Sequence, residues 1–388
     1  MNQRPLKPGW KLVKFGEFVE NIVEQGQPTT EDSRKYIGLE HLDSGSLHVK
    51  RWGSDADLKG KKLVMKKGDL LFAKRNAYLR RVAIAPYDGF FSAHGMILRP
   101  KGNDVLQEFL PFFLQSDLFM ERAIEISVGS LSPTINWNTL RVEELPLPPL
   151  DEQKRISEIL WAADEAVERN VLLKNAFHAF YMSSIETYCF DKRHNAVKIE
   201  KIADINKETL SVLKTAKNYQ FKYLDIGSVL APKEIGKLAI YNFSDAPSRA
   251  RRVVRDFDIL LSTVRPNLQS FIRIGKVGRE LIASTGFAVI SPMNYALGSI
   301  VFHSFFSKRF SQYCDAKVTG TSYPAVTAKD IGMFTIFIPS EKNEIHRIAK
   351  ILDSIDQSIR QIESCICAGK EMNKVLIDEL IGRGAPHV

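Results

Sequence analysis

The sequence predicts a mixed α/β fold: two repeated α+β globules, each followed by a long helix. Three observations predict it. Two apolar stripes at helical spacing stand 192 positions apart. Ahead of each stripe, short apolar runs recur in the same order at nearly the same offset. And 388 residues, 44% of them hydrophobic, suffice for two cores of ordinary domain size.

The first helix grows out of LPLPPLDEQKRISEILWAADEAVERNVLLKNAFHAFYMSSIETYC, residues 145–189. Pro146, Pro148 and Pro149 force an extended entry, because proline fixes φ, lacks an N–H and pushes its predecessor out of the helical region. Asp151 is the expected N-cap, with Glu152 near the positive helix end. Ile156, Leu160, Ala163 and Val167 then alternate in steps of four and three, the seam of a coiled coil. Asn170 interrupts the seam; Phe177 and Tyr181 resume it. In the second copy, EIHRIAKILDSIDQSIRQIESCI, Ile348, Leu352, Ile355 and Ile359 repeat the spacing. Arg347 and Asp356 follow Arg155 and Asp164 at the same offset, so the match includes polar positions. Two helices with one apolar face each must bury those faces on each other or on a partner.

The globules repeat in chain order. VKFGEFVENI, anchored at Lys14-Phe15, is matched to EKIADINKET, anchored at Lys201-Ile202, at an offset of 187. YIGLEHLDSG from Tyr36 parallels YLDIGSVLAP from Tyr223, each an alternating strand running into a turn. KKGDLLFAKR parallels RDFDILLSTVR, with Asp69 opposite Asp258. SAHGMILRP parallels ASTGFAVISP, and VGSLSPTINWNTL parallels TGTSYPAVTAKDI, a polar loop entering a helical turn. The offset grows by small insertions between apolar runs, where loops tolerate them. QEFLPFFLQSDLFMERAIEI, residues 107–126, reads as the main helix of the first globule.

The formal charge of +9 points to an anionic partner, nucleic acid or anionic surface. No apolar run approaches the roughly 18 to 20 residues that span a bilayer, and MNQRPLKPGW lacks a signal peptide's apolar segment, so the expectation is a cytoplasmic protein without a membrane partner. Cys189, Cys314, Cys365 and Cys367 suit neither a disulfide framework nor a four-thiolate zinc site. The sequence holds no G-x-x-x-x-G-K loop, G-x-G-x-x-G, G-x-S-x-G or H-E-x-x-H. Pro148-Pro149 sit in LPPL, without the Asp or Asn and aromatic flanks of an amino-methyltransferase. His94 reads as structural, and Glu341, Lys342 and Glu344 lack the strand aspartate of a nuclease cluster. Neither catalytic nor metal-ligating residues are assigned.

With these residues laid out, the chain resembles the specificity subunits of type I restriction-modification systems. The resemblance rests on GSLSPTINWNTLRVEELPLPPLDEQKRISEIL, residues 129–160, which looks like that family's passage from recognition domain into conserved helix. GTSYPAVTAKDIGMFTIFIPSEKNEIHRIAKIL, residues 320–352, is a looser copy, with Pro339-Ser340 and Ile345 in place of Pro148-Pro149 and Gln153. Membership implies a target recognition domain over 1–147, a spacer helix over 148–192, a second recognition domain over 193–338 and a second spacer helix over 339–384, the helices forming an antiparallel coiled coil. It implies that each domain reads one half of a gapped double-stranded DNA site. It also implies that two modification (methyltransferase) subunits dock on the helices, and that those and the restriction subunits carry the chemistry. The chain itself then binds no cofactor; S-adenosylmethionine, ATP and Mg belong to the other subunits.

For such a protein, lysine and arginine grip phosphates while arginine, asparagine and glutamine read base edges. AKRNAYLRRVA offers Lys74, Arg75, Asn76, Tyr78, Arg80 and Arg81; STVRPNLQSFIRIG offers Arg265, Asn267, Gln269 and Arg273 at the equivalent place. A second set is Ser132, Thr134 and Asn136 with Ser322 and Tyr323, residue types that equally well cap the following helical turn. The arginines of SRARRVVR read as a phosphate-facing or solvated face. A spacer helix of about 30 residues, near 45 Å, would set the reading heads roughly 13 base pairs apart. The alternative reading is a coiled-coil scaffold or interaction protein whose basic charge is incidental; a nuclease or methyltransferase acting alone lacks its motifs.

Overall fold

The computed structural model describes residues 6–28, 36–53, 60–231, 234–264, 270–276, 280–317 and 325–382. It forms two compact units, Met1–Val171 with Glu363–Val388, and Leu172–Ile362.

Unit 1 contains β1 (Lys11–Lys14), α1 (Phe15–Phe18), β2 (Val19–Ile22), β3 (Gln25–Gly26), β4 (Tyr36–Ile37), β5 (Lys62–Met65) and β6 (Leu70–Phe72). There follow β7 (Val82–Ile84), β8 (Gly89–Phe91), β9 (Met96–Pro100), α2 (Leu110–Gln115), α3 (Asp117–Glu125), α4 (Trp137–Leu140), β10 (Glu144–Leu147) and the first part of α5 (Leu150–Cys189). One antiparallel sheet has the order β2-β9-β6-β7; a second, β3-β5-β8-β4, carries a parallel β4-β8 pair. β6 shows why three consecutive apolar residues make a strand here. Leu70 and Phe72 face the core shared with the helices, whereas Leu71 faces the second sheet, so both sides of the pleat are buried.

Residues 107–126 are two helices, not one. Ser116 takes an extended conformation, its Oγ donating to Phe113 O at 2.6 Å and accepting from Phe119 N at 3.4 Å. A hydroxyl that caps both neighbouring helix ends breaks the run despite its apolar period. Asp151 likewise lies inside the first turn of α5 instead of capping it, because the helix already begins at Leu150 and Gln153 N bonds Pro149 O.

Unit 2 comprises β11 (Asn195–Lys198), β12 (Ala203–Ile205), β13 (Gln220–Leu224), β14 (Val229–Ala231), β15 (Glu234–Ile235), β16 (Ala239–Asn242), β17 (Ala250–Val254) and β18 (Ile259–Ser262). Then come β19 (Phe271–Arg273), β20 (Leu281–Ser284), β21 (Phe287–Pro292), α6 (Tyr295–Ser304), α7 (Lys308–Lys317), α8 (Ala328–Met333), β22 (Thr335–Ile338) and the first part of α9 (Lys342–Ile381), and the unit opens with the second part of α5. Its sheet β12-β21-β18-β19 reproduces β2-β9-β6-β7 strand for strand. In the second sheet, β17-β20-β13 reproduces β5-β8-β4, but the fourth strand is added on the opposite edge, β16 beside β13 instead of β3 beside β5.

Strand pairing corrects the first repeat anchor. Val19 pairs with Pro100 and Ala203 with Pro292, so the true register of this segment is VKFGEFVEN on VKIEKIADI at an offset of 184. The slip of three arose because a lysine followed by an apolar residue occurs at both Lys198-Ile199 and Lys201-Ile202.

Each long helix has 40 residues, about 60 Å of rise and ten residues more than expected. In unit 1, Ile156 and Leu160 near the start of α5 share a core with Ile377 and Ile381 at the end of α9. Lys7 Nζ donates to the α9 carbonyls of Glu379 and Leu380 at 3.2 and 3.0 Å. At Gly369 a Cβ would stand 2.8 Å from Val167 Cγ2, so the close approach of the two segments requires glycine. In unit 2, Tyr181, Ile185 and Cys189 at the end of α5 share a core with Ile348, Leu352, Ile355 and Ile359 near the start of α9. Start against end in both units is the pairing of an antiparallel coiled coil. Of the expected seam, Ala163 and Phe177 are half-exposed; the other apolar positions are buried.

The globule is latched to its adjoining helix differently in the two units. In unit 1 the latch is aromatic: Phe112 on Trp161 at 5.0 Å between ring centroids, with Trp161 Nε1 donating to Glu108 O. Gln153, fully buried, adds a staple, accepting from Leu106 N and donating to Asp104 O and Pro148 O. The repeat offsets of 191 and 192 put His303 opposite Phe112 and Asp353 opposite Trp161, and there the latch is ionic. Asp353 accepts from His303 Nε2 at 2.9 Å, Arg273 Nη2 at 2.7 Å, Ser299 Oγ at 2.9 Å and Tyr295 OH at 3.1 Å, while His303 Nδ1 meets the Tyr181 hydroxyl at 2.6 Å. Burial pushes the Asp353 carboxyl up, but the bonds from His303 and Arg273 outweigh it and hold the group well below the usual carboxylate range.

Two outcomes follow. Leu352→Asp, and equally Leu160→Asp, should cost more than about 4 kcal/mol by exchanging a buried apolar contact for an unpaired charge; an unchanged thermal transition would refute the helix pairing. A lowered carboxylate pKa stabilises fully above its unfolded value, near 4, and loses that contribution as pH falls towards the folded value. Asp353→Asn should therefore destabilise unit 2 by about 3 kcal/mol at pH 7 and flatten the acid limb of its thermal stability between about pH 4 and 2. Thermal melts across that range read both effects.

Candidate nucleic-acid interface

Of the sequence-derived candidates, the structure joins two sets that are far apart in the chain. The first is the excursion between β6 and β7, closed at its base by Ala73 N donating to Arg81 O at 3.1 Å. Asn76 and Arg80 hold φ of +56° and +51°, the left-handed region that asparagine tolerates and arginine rarely adopts, and between them lies one turn of 3-10 helix. The second is the segment after α3, where Val128 and Thr134 exchange both backbone hydrogen bonds at 3.0 Å and enclose Gly-Ser-Leu-Ser-Pro. Gly129 within it has φ +117°, a conformation glycine adopts without strain.

The joint between them is backbone on backbone. Asn76 N donates to Pro133 O at 2.8 Å, Ile135 N donates to Lys74 O at 3.0 Å, and Arg75 bridges Thr134 as an isolated antiparallel pair. Arg75 Nη2 adds a bond to Ser132 Oγ at 3.3 Å. Lys74, Arg75, Ser132 and Thr134 thus form one half-exposed polar strip, with Tyr78 54% exposed beside it. Burial lowers the Lys74 pKa. The Asn76 side-chain oxygen is buried without a hydrogen-bond partner among the described residues.

Other candidates have structural tasks. Arg80 pairs with Asp117, Arg81 Nη1 donates to Leu39 O at 2.8 Å, and Asn136 caps α4 by accepting from Asn138 N at 2.9 Å. His94 is exposed in the turn between β8 and β9.

In unit 2, the flanks of the equivalent joint repeat the geometry: Val326 N donates to Thr263 O at 3.0 Å and Val264 bridges Ala325. Arg265, Asn267, Gln269, Ser322 and Tyr323 lie outside the described residues. Arg273 is only 15% exposed, bound to Asp353 and stacked 5.1 Å from the Tyr295 ring centroid, so its charge is committed to the latch. In SRARRVVR, Arg251 stacks on Phe243, Arg252 bonds Thr209, Arg255 pairs with Glu208, and Arg249 is exposed.

Sequence reasoning missed two tethers from unit 1's globule to α5. His48 Nε2 meets Asp164 Oδ2 at 2.6 Å and Lys50 Nζ meets Glu168 Oε1 at 2.8 Å, and the bond to Asp164 raises the His48 pKa. Alternation in SLHVKRW carries no sign of a partner 116 positions away. Among the described residues no group of three or more His, Cys, Asp or Glu side chains is placed to hold a metal, and no helix is long and apolar enough to cross a membrane.

This arrangement, two globules of one topology interleaved with two shared helices, is matched by known proteins. Residues 8–175 match the family model of the type I restriction modification DNA specificity domain. The matched stretch is a type I DNA specificity domain. A putative type I restriction enzyme MjaX specificity subunit of Methanocaldococcus jannaschii is 25% identical over 395 residues, 90% of this chain and 87% of that protein. The type I restriction-modification system S subunit from M. genitalium, 14% identical, superposes with a TM-score of 0.58 over 99% of this chain and 98% of that one. A chain from a structure of type I system assembly and conformational transition, 19% identical, gives 0.56 over 97% and 98%. These two likenesses speak for the fold. A DNA specificity domain is the DNA-recognition component of such systems.

If the polar strip is the reading surface, its two cations differ in what they touch. Arg75→Ala should relax preference at a base of one half-site, at about 1 to 3 kcal/mol, whereas Lys74→Ala should weaken all sequences alike and lower the salt slope by about one. Binding titrations on matched and mismatched duplexes at several salt concentrations separate the two; equal weakening by both variants reduces Arg75 to a phosphate contact.

Proposed function

We propose that this chain is a specificity subunit that reads a gapped, asymmetric duplex site, unit 1 taking one half and unit 2 the other, and presents it to modification and restriction subunits. The observation that carries this reading is the joined strip at Lys74–Asn76 and Ser132–Thr134, with the same backbone joint at Thr263–Val264 and Ala325–Val326. Equivalent scaffolds holding different side chains give two half-sites of different sequence. Phosphate contacts supply affinity and base-edge contacts supply choice.

Docking of the modification subunits falls to the outward faces of α5 and α9. In unit 1, α5 exposes Ile159, Ala162 and Ala166; in unit 2 it exposes Leu173, Ala176 and Phe180, spacings of three and four that suit a partner helix. α9 adds exposed Met372 and Val375 in unit 1. Catalysis, with S-adenosylmethionine, ATP and Mg, resides on the partner subunits, and the complex works in the cytoplasm.

Methylome sequencing of a methylation-free host carrying this gene and its modification subunit tests the reading. Methyl adenine at one gapped, asymmetric motif is the expected result. Absence of any modified motif, with both subunits expressed and assembled, overturns it.

A further inference from the structure

Leu131 stands at the apex of the loop that Val128 and Thr134 close, and it is 94% exposed. Val128 on the same loop is 77% exposed. Large aliphatic side chains this open are expensive to present to water, and a flexible loop would fold them away. This loop cannot readily do so. Its ends are fixed by two mutual backbone bonds, Gly129 sets its turn, Thr134 Oγ1 donates to Ser132 O at 3.0 Å, and its rear is hydrogen-bonded to Lys74, Arg75 and Asn76. The result is a rigid apolar tip mounted on a cationic strip.

We infer that Leu131 is a wedge that enters the base stack of the half-site read by unit 1, opening one base step while Lys74 holds the flanking backbone and Arg75 reads a neighbouring base. The inference rests on the DNA-reading assignment of this strip. Side chains of this kind, inserted between base steps, unstack and kink a duplex, and the deformation favours sequences whose steps unstack easily. The wedge therefore adds selectivity for a flexible step, such as pyrimidine–purine, at a position where no hydrogen bond reads a base. The repeat offset of 191 places Ser322 opposite Leu131, so the leucine itself is not repeated in the second half of the sequence.

The test uses the assembled complex with its modification subunit and duplexes of the methylated motif, each carrying 2-aminopurine at one position of the unit 1 half-site. Wild type should brighten the probe at one step distinct from the modified adenine. Leu131→Ser should abolish that signal and weaken binding about tenfold, whereas Leu131→Met should keep both. Thermal melts should be the same for all three proteins, since the residue is exposed. A complex that binds and methylates its motif with no signal sensitive to Leu131 overturns the wedge and leaves the reading assignment standing. Loss of affinity in Leu131→Ser that is mimicked by replacing a thymine with uracil, without probe brightening, assigns Leu131 to a thymine methyl and also overturns it. A complex that binds no duplex selectively removes the assignment itself.

Discussion

Both globules finish their cores on the long helices, and unit 1 does so on a segment remote in sequence. Unit 1 closes on Ile377 and Ile381, more than 200 residues beyond its own last strand, and unit 2 borrows Tyr181, Ile185 and Cys189 from the helix that begins in unit 1. Burial of these side chains is the interaction on which everything else depends. The antiparallel pairing, the glycine at 369 and the lysine on the α9 carbonyls all follow from the need to bring the last helix back to the first globule. Contacts so remote in sequence carry a high loop-closure cost and imply that unit 1 consolidates late.

Within that frame the two globules keep what positions and vary what reads. The buried aspartates Asp69 and Asp258 both accept from the backbone N–H three residues earlier, at 2.7 and 2.8 Å, fixing the same turn before the central strand. Their second partners differ: Arg99 for Asp69, and the hydroxyl of Ser291 for Asp258, where burial dominates and raises the pKa. The edge strand of the second sheet has moved across to the other side. The joint between the two candidate loops has not moved.

Much of this was legible in the sequence. The helical seam showed because period 3.5 is distinctive over several turns, and the strand anchors showed because both faces of β6 and β18 are buried and therefore apolar without interruption. Boundaries were less legible: Ser116 splits a helix through one hydroxyl, and a lysine pair three apart shifted the first anchor. In the candidate site, Arg75 and Ser132 were both named, but that they touch depends on a strand bridge no local pattern encodes. Arg80, Arg81, Asn136 and Arg273 have the right chemistry for DNA and spend it within the protein. A side chain's type announces what it can bind, never whether it is already occupied.

The unlike latches bear on how such subunits diversify. An aromatic pair at Phe112 and Trp161 and an ionic cluster at His303 and Asp353 occupy the same place in the repeat, so each globule is keyed to its helix. Transplanting the second globule into the first position would press a histidine and an arginine against tryptophan; the reverse exchange would leave a carboxylate buried against phenylalanine. New half-site combinations then arise most cheaply by replacing a globule with a foreign one from the same position, and shuffling within one gene is penalised unless the helix residue travels along.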